Sequence, residues 1–224
     1  MKILCMALYG SCARGEETSG SDIDLFAIHN QNKYQMIVRG RVNIALYPHE
    51  LAIKIMKSGN LFALHLRNEG IPVFNDSLYE DIISYFRHKD CYTEDITKAL
   101  FLAEYIVHNH NKIKNIAMMN KRISWCARTI LIAISTELKT PYFSTGKLST
   151  VFHFNELNSS DIINIIELKN IKYKDIDKLM KASVFFDNIK EQRNISLDAF
   201  IPDYFIRKSI DALSSDNSFK GCLY

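Results

Sequence analysis

The sequence lacks several features that would assign it to a functional class at once. Its five cysteines are scattered and form no C-x-x-C pair, so neither a zinc site nor a disulfide framework is indicated, and we expect a reducing, cytoplasmic setting. No apolar run reaches the length of a membrane span. The net charge over 224 residues is only +3, too small an excess to indicate nucleic acid as a partner. What remains is an ordinary globular composition, 47% hydrophobic and 24% charged, which permits a sizeable core.

The first part of the chain alternates strand and helix patterns. The predicted elements are strands over 3–9 and 23–28, a hairpin over 34–38 and 42–47, helices over 51–56 and 61–66, and a last strand over 71–74. The opening apolar run leads directly into a Gly-Ser turn and two acids, with no small-residue cleavage site before them. We therefore interpret it as the first core strand rather than as a signal peptide.

From about residue 77 onward, helical periodicity dominates. The predicted helices cover 78–86, 94–110, 118–138, 161–168, 175–189 and 198–213. The fold class is therefore α+β: a mixed sheet with flanking helices over residues 1–88, followed by a helical bundle over residues 89–224. We find no internal repeat and no low-complexity segment.

The most informative stretch is LYGSCARGEETSGSDIDLF, residues 8–26. An apolar strand enters a Gly10-Ser11 turn, and ten residues later Asp22-Ile23-Asp24 opens a second apolar strand. Because strand side chains alternate, Asp22 and Asp24 should share one face, about 7 Å apart. Two carboxylates so placed repel each other unless a cation lies between them, and oxygen ligands favour a divalent metal, Mg²⁺ first.

This stretch resembles the signature of the DNA polymerase β-type nucleotidyltransferase superfamily. It is closest in kind to the small bacterial members, namely the minimal nucleotidyltransferases and those that modify aminoglycosides and lincosamides. The resemblance implies a nucleotidyltransferase domain over residues 1–88 with a catalytic pair, Asp22 and Asp24, that binds Mg²⁺ or Mn²⁺, two ions in a fully active enzyme. The implied reaction transfers a nucleoside monophosphate, AMP from ATP in the first place, to a hydroxyl acceptor. The implied ATP-binding residues are Gly10, Ser11, Arg14 and Ser21.

The turn chemistry agrees with that assignment. Glycine at position 10 permits close approach of the backbone, whose N–H groups would cradle a triphosphate. A helix beginning near residues 12–16 would add its N-terminal dipole, and Arg14 is placed to neutralise phosphate charge. Ser21 has two possible roles, a bond to the triphosphate or the closing of a turn.

One expected residue is missing. The superfamily usually places a third carboxylate on the strand across from the two aspartates, but this chain has Asn43 at the matching position. Asparagine offers a metal one neutral oxygen and cannot act as a general base. Alternatively, the acid lies elsewhere, with Glu50 and Glu69 the nearest candidates. A catalytically weak or inactive nucleotide-binding protein of the same fold therefore stays open as the alternative function.

The acceptor is left open between three classes. We expect the nucleotide cleft to lie between the two domains, with the helical domain supplying the acceptor site. A small molecule with amino groups predicts an acidic pocket there, for which the candidates are Glu94, Asp95, Glu104 and Glu137. A protein hydroxyl predicts an exposed docking face, and an RNA end predicts a basic track, which the weak net charge disfavours. No membrane partner is expected, and a homodimer is possible.

Overall fold

The structure, a computed structural model, describes residues 1–151, 154 and 156–215. They form two compact units that divide after Asp90. The α+β class is confirmed, since the first unit holds a mixed sheet with helices and the second is helical within the described residues. None of the helices in the described part of the chain combines the length and the apolarity that a bilayer crossing needs.

Within residues 1–90, the sheet has the order β3-β4-β2-β1-β5. Its strands are β1 (Ile3–Tyr9), β2 (Ile23–His29), β3 (Gln35–Arg39), β4 (Val42–Pro48) and β5 (Ile71–Phe74). β2 runs antiparallel to β1 and parallel to β4, while β3 and β5 form antiparallel edges. This order makes β2 the central strand, with β1 and β4 on either side. The residues at its start are therefore held by neighbours on both sides.

Three helices accompany this sheet: α1 (His49–Ser58), α2 (Leu61–Glu69) and α3 (Asp76–Ser84). Asn60 caps α2, its side-chain oxygen accepting from the Ala63 N–H at 2.8 Å. The ring of Phe26 on β2 packs edge-on against Phe62 of α2 and Tyr79 of α3, each 6.4 Å away between ring centroids. Burial of these rings fixes α2 on one face of the sheet.

The second unit is built around α5. Its described helices are α4 (Thr93–Asn109), α5 (Ile116–Glu137), α6 (Thr145–Leu148), α7 (Ser159–Ile166), α8 (Ile176–Gln192) and α9 (Tyr204–Ser214), with a 3₁₀ turn over Glu167–Asn170. Most of α5 is buried because it packs against α4, α7, α8 and α9.

One predicted helix begins later than expected, and another does not form. The last helix begins at Tyr204 rather than at residue 198, because Pro202 precedes it and Asp203 caps it, accepting from the Ile206 N–H at 2.9 Å. No α-helix begins at residues 12–16, which form a hydrogen-bonded turn instead.

Candidate active site

The site begins where β1 ends. Gly10 follows Tyr9 with φ of +81°, in the left-handed region that only glycine enters without strain. A Cβ at this position would lie 3.2 Å from Oδ2 of Asp24, so a side chain would also crowd that carboxylate. Glycine is thus required here for two reasons, its backbone conformation and the close approach of the loop to β2.

The loop after Gly10 is a tight turn rather than a helix. The Arg14 N–H is shared between the carbonyls of Gly10 and Ser11, both at 3.2 Å, and the Glu16 N–H reaches the Ser11 carbonyl at 3.0 Å. These bonds span different numbers of residues, so no regular helical ladder forms. Within the described residues, the N–H groups of Ser11, Cys12 and Ala13 donate to no protein acceptor. Three consecutive free donors are what an anion-binding turn requires.

The start of β2 brings Asp24 and Asn43 together. Asp24 pairs with Tyr9 of β1 on one side and with Asn43 of β4 on the other. Asn43 is only 2% exposed, and its Nδ2 donates to Oδ1 of Asp24 at 3.0 Å. Neither of the other candidates pairs with Asp24 in the sheet, since Glu50 is exposed in the first turn of α1 and Glu69 ends α2 with its carboxylate on Arg14. The residue beside Asp24 is therefore an amide.

Asp22 and Ser21 stand at the mouth of the loop. Asp22 is exposed one residue before β2 begins, and its carbonyl accepts from Sγ of Cys12 at 3.3 Å. The hydroxyl of Ser21 accepts from the Thr18 N–H at 2.8 Å, which closes a turn. Arg41 then holds this turn against β4, because its Nε donates to the Ser21 carbonyl at 2.8 Å. Nucleotide contact by Ser21 stays a prediction.

The carboxylates at this site fit Mg²⁺ bound together with a nucleotide. They do not surround a metal ion by themselves. No group of three His, Cys, Asp or Glu side chains converges on a metal position among the described residues. Mg²⁺ commonly takes one or two carboxylates, several waters and substrate phosphates. Asp22 is exposed, and Asp24 is half-buried with one oxygen bound by Asn43, so this pair could supply that small number of protein ligands.

Arg14 is held by two carboxylates. Its Nε donates to Glu16 at 2.7 Å, and its Nη1 donates to Oε2 of Glu69, also at 2.7 Å. The same Glu69 oxygen contacts Nε2 of His65, one turn earlier on α2, and the His65 ring packs edge-on against Tyr9 at 5.5 Å. Sequence reasoning considered Glu69 only as a third acid, because a partner 55 residues away leaves no local signal. The available hint was an acid in the last turn of a helix, where the dipole disfavours it.

Two acids proposed for the acceptor site are already paired inside the helical unit. Glu104 forms an ion pair with Lys190. Glu137 accepts from the Tyr92 N–H at 2.7 Å and from Nη1 of Arg193 at 2.5 Å. An acceptor amine would have to compete with these partners, so neither is a ready amine-binding group.

Comparison with known proteins shows the family of this chain. A family model described as nucleotidyltransferase domain matches residues 3–123, more than half of the chain. The chain belongs to this family. Membership supports nucleotidyl transfer as its general activity, and the matched residues include β1, the loop, β2 and β4 and extend into α5.

Two further comparisons add little to the family assignment. A solved structure of a nucleotidyltransferase-like protein from Exiguobacterium sibiricum is similar at 12% identity and a TM-score of 0.39, over 86% of this chain and 70% of that one. That likeness is too weak to carry an argument. The comparison with curated proteins gave no match.

Proposed function

We propose that this nucleotidyltransferase transfers a nucleoside monophosphate, AMP from ATP in the first place, to a hydroxyl of a small molecule or a protein. The observation that carries the proposal is the convergence of an anion-binding turn with a metal-binding carboxylate. The free N–H groups directly follow Gly10, where a Cβ would lie 3.2 Å from Oδ2 of Asp24. Phosphate and a divalent cation bind together where such groups meet.

Each residue has a distinct role in this proposal. Asp22 and Asp24 would hold Mg²⁺ or Mn²⁺, which neutralises charge on the triphosphate when bound. The loop N–H groups after Gly10 bind phosphate oxygens, with the Ser11 hydroxyl beside them. Arg14 adds positive charge from the same loop, because three of its five N–H donors are not used by protein acceptors among the described residues.

The alternative, a nucleotide-binding protein with weak turnover, is favoured by one observation. The Asn43 amide donates to Asp24, so it stabilises the carboxylate without a metal, and it cannot accept a proton from an acceptor hydroxyl. Positioning and charge neutralisation supply most of the rate enhancement in phosphoryl chemistry, so a slow enzyme remains consistent with an amide at this position.

A cytoplasmic setting belongs to the same proposal. It is supported by the cysteines, since the four in the described part of the chain, Cys5, Cys12, Cys91 and Cys126, are all free thiols.

The test is label transfer from each of the four α-³²P-labelled nucleoside triphosphates, with Mg²⁺ or Mn²⁺, to a cell lysate separated into protein and small-molecule fractions. We expect labelled product with the native chain and none with the Asp22→Ala, Asp24→Ala double variant. The matched control is Glu80→Ala with Asp81→Ala, two exposed acids of α3 outside the site, which should transfer label normally. Nucleotide binding without transfer in the native chain would favour the alternative.

A further inference from the structure

Glu69 has an environment that its own helix does not favour. It is the last residue of α2, where the negative end of the helix dipole disfavours a carboxylate. Its side chain is nevertheless only 9% exposed. A carboxylate in such a place is retained only if cations or donors compensate it, and here the Arg14 guanidinium donates to Oε2.

The compensating cation belongs to the loop of the candidate site. The Arg14 guanidinium is 17% exposed and is fixed at two points, Nε by Glu16 and Nη1 by Glu69. A planar guanidinium held at two edges has one orientation. The direction of its remaining N–H donors is therefore fixed as well. Glu16 is 43% exposed, so the partner that fixes the group under low dielectric is Glu69.

α2 itself is anchored independently of the loop. Its Phe62 ring packs edge-on against Tyr9 at 5.6 Å and against Phe26 of the central strand. His65 contacts Tyr9 as well, immediately before Gly10. The helix that carries Glu69 is thus packed on the two strands that flank the loop, so it is a rigid reference for Arg14.

We propose that Glu69 is a positioning residue, which orients Arg14 so that its unused N–H donors meet the polyphosphate of the incoming nucleotide. This inference rests on the proposed function. Glu69 touches neither substrate nor metal in this scheme and acts only through Arg14. The ligand chemistry is a triphosphate oxygen cluster, which a correctly oriented guanidinium binds in a bidentate manner.

The test measures binding of Mg²⁺-ATP and of Mg²⁺-tripolyphosphate by calorimetry. We expect Glu69→Gln, which keeps the shape but removes the charge, to weaken both by about tenfold, as the loss of a bond to a charged group would. The matched control Glu17→Gln removes the charge of an exposed acid of the same loop, which has no contact with Arg14 among the described residues, and should change affinity by less than about twofold. Glu69→Asp keeps the charge and should recover much of the loss.

A double-mutant cycle separates positioning from a merely structural role. In an Arg14→Ala background, Glu69→Gln should have no further effect on either ligand, because the two residues act as one unit. An equal loss in both backgrounds overturns the proposal, as does a Glu69→Gln protein that is folded by circular dichroism and binds normally. If Glu69→Gln does not fold, Glu69→Asp is carried through the same cycle. A native chain that binds neither ligand refutes the proposed function itself, and this inference with it.

Discussion

Replacing Asn43 by aspartate tests the electrostatics of the site directly. The amide nitrogen of Asn43 lies 3.0 Å from Oδ1 of Asp24, so Asn43→Asp puts a second carboxylate at that distance. Coulomb's law gives a repulsion of about 5 kcal/mol at an effective dielectric of 20 and about 1 kcal/mol in bulk water. The substitution also removes a hydrogen bond to a charged acceptor, worth roughly 1.5–3 kcal/mol. Since Asp24 is half-buried, we expect a loss of at least about 3 kcal/mol in unfolding free energy without metal.

The assay is urea unfolding at neutral pH, with EDTA and with 10 mM Mg²⁺. A cation that bridges the carboxylates removes the repulsion, so Mg²⁺ should recover most of the loss in Asn43→Asp and stabilise the native chain much less. The control is Asn120→Asp, because Asn120 is equally buried but its amide donates to the carbonyls of Ile171 and Tyr173. It should be destabilised with no recovery in Mg²⁺. An Asn43→Asp protein as stable as the native chain in EDTA, or one that Mg²⁺ does not recover, would refute this account.

Three further predictions follow from the described contacts. Gly10→Ala should lower stability by about 1–2 kcal/mol through its positive φ and also weaken nucleotide binding, because the methyl group crowds the Asp24 carboxylate. Urea unfolding and ATP titration measure the two effects. Asp161→Asn should cost about 1 kcal/mol at pH 7, since the carboxylate completes the α7 capping box and pairs with Lys181. The hydrogen bond from Lys181 lowers the pKa of Asp161, so this contribution is present above the unfolded-state pKa near 3.9 and is lost as pH falls further, which unfolding curves from pH 7 to pH 2 should detect. Iodoacetamide at pH 7.5 should modify Cys12 and spare Cys5, because burial raises the pKa of Cys5 to about 11. If the loop binds nucleotide, Mg²⁺-ATP should protect Cys12 from modification. Modification of Cys12 that ATP leaves unchanged would argue against nucleotide binding by the loop.

Much of the fold could be predicted because its strands and turns are set by residues that are close together in the sequence. The strands β1 and β5 have the predicted bounds, since apolar runs bounded by glycine set them. The same holds for the turn at Gly40, whose φ of +60° matches its place between β3 and β4. The place of Asn43 across from Asp24 was expected from the family resemblance, and the parallel pairing of β2 with β4 puts the two residues side by side.

The sequence could not predict how the loop is held. The Arg14–Glu69 pair spans 55 residues and depends on where α2 is packed, which no periodicity specifies. The turn at residues 12–16 was mistaken for a helix because its composition permits one. The hydrogen bonds of the turn span unequal numbers of residues, and this pattern depends on tertiary packing. The acids proposed for an acceptor pocket are visible in the sequence, but their ion pairs are not. Their partners Lys190 and Arg193 come from distant parts of the helical unit.

The balance of charges around the loop explains why a neutral side chain suits position 43. The charged side chains there are Arg14, Glu16, Glu17, Asp22, Asp24, Arg41 and Glu69. Acids outnumber bases by three in this set, so an unaccompanied triphosphate would be repelled and the nucleotide must arrive with its cation. A third carboxylate at position 43 would raise that excess and require a further cation to balance it. The neutral amide removes this demand and gives Asp24 a hydrogen-bond donor. We therefore expect one metal ion per bound nucleotide in the native chain and two in Asn43→Asp, a stoichiometry that Mn²⁺ titration by electron paramagnetic resonance measures. Two ions in the native chain would show that Asn43 does not set the number.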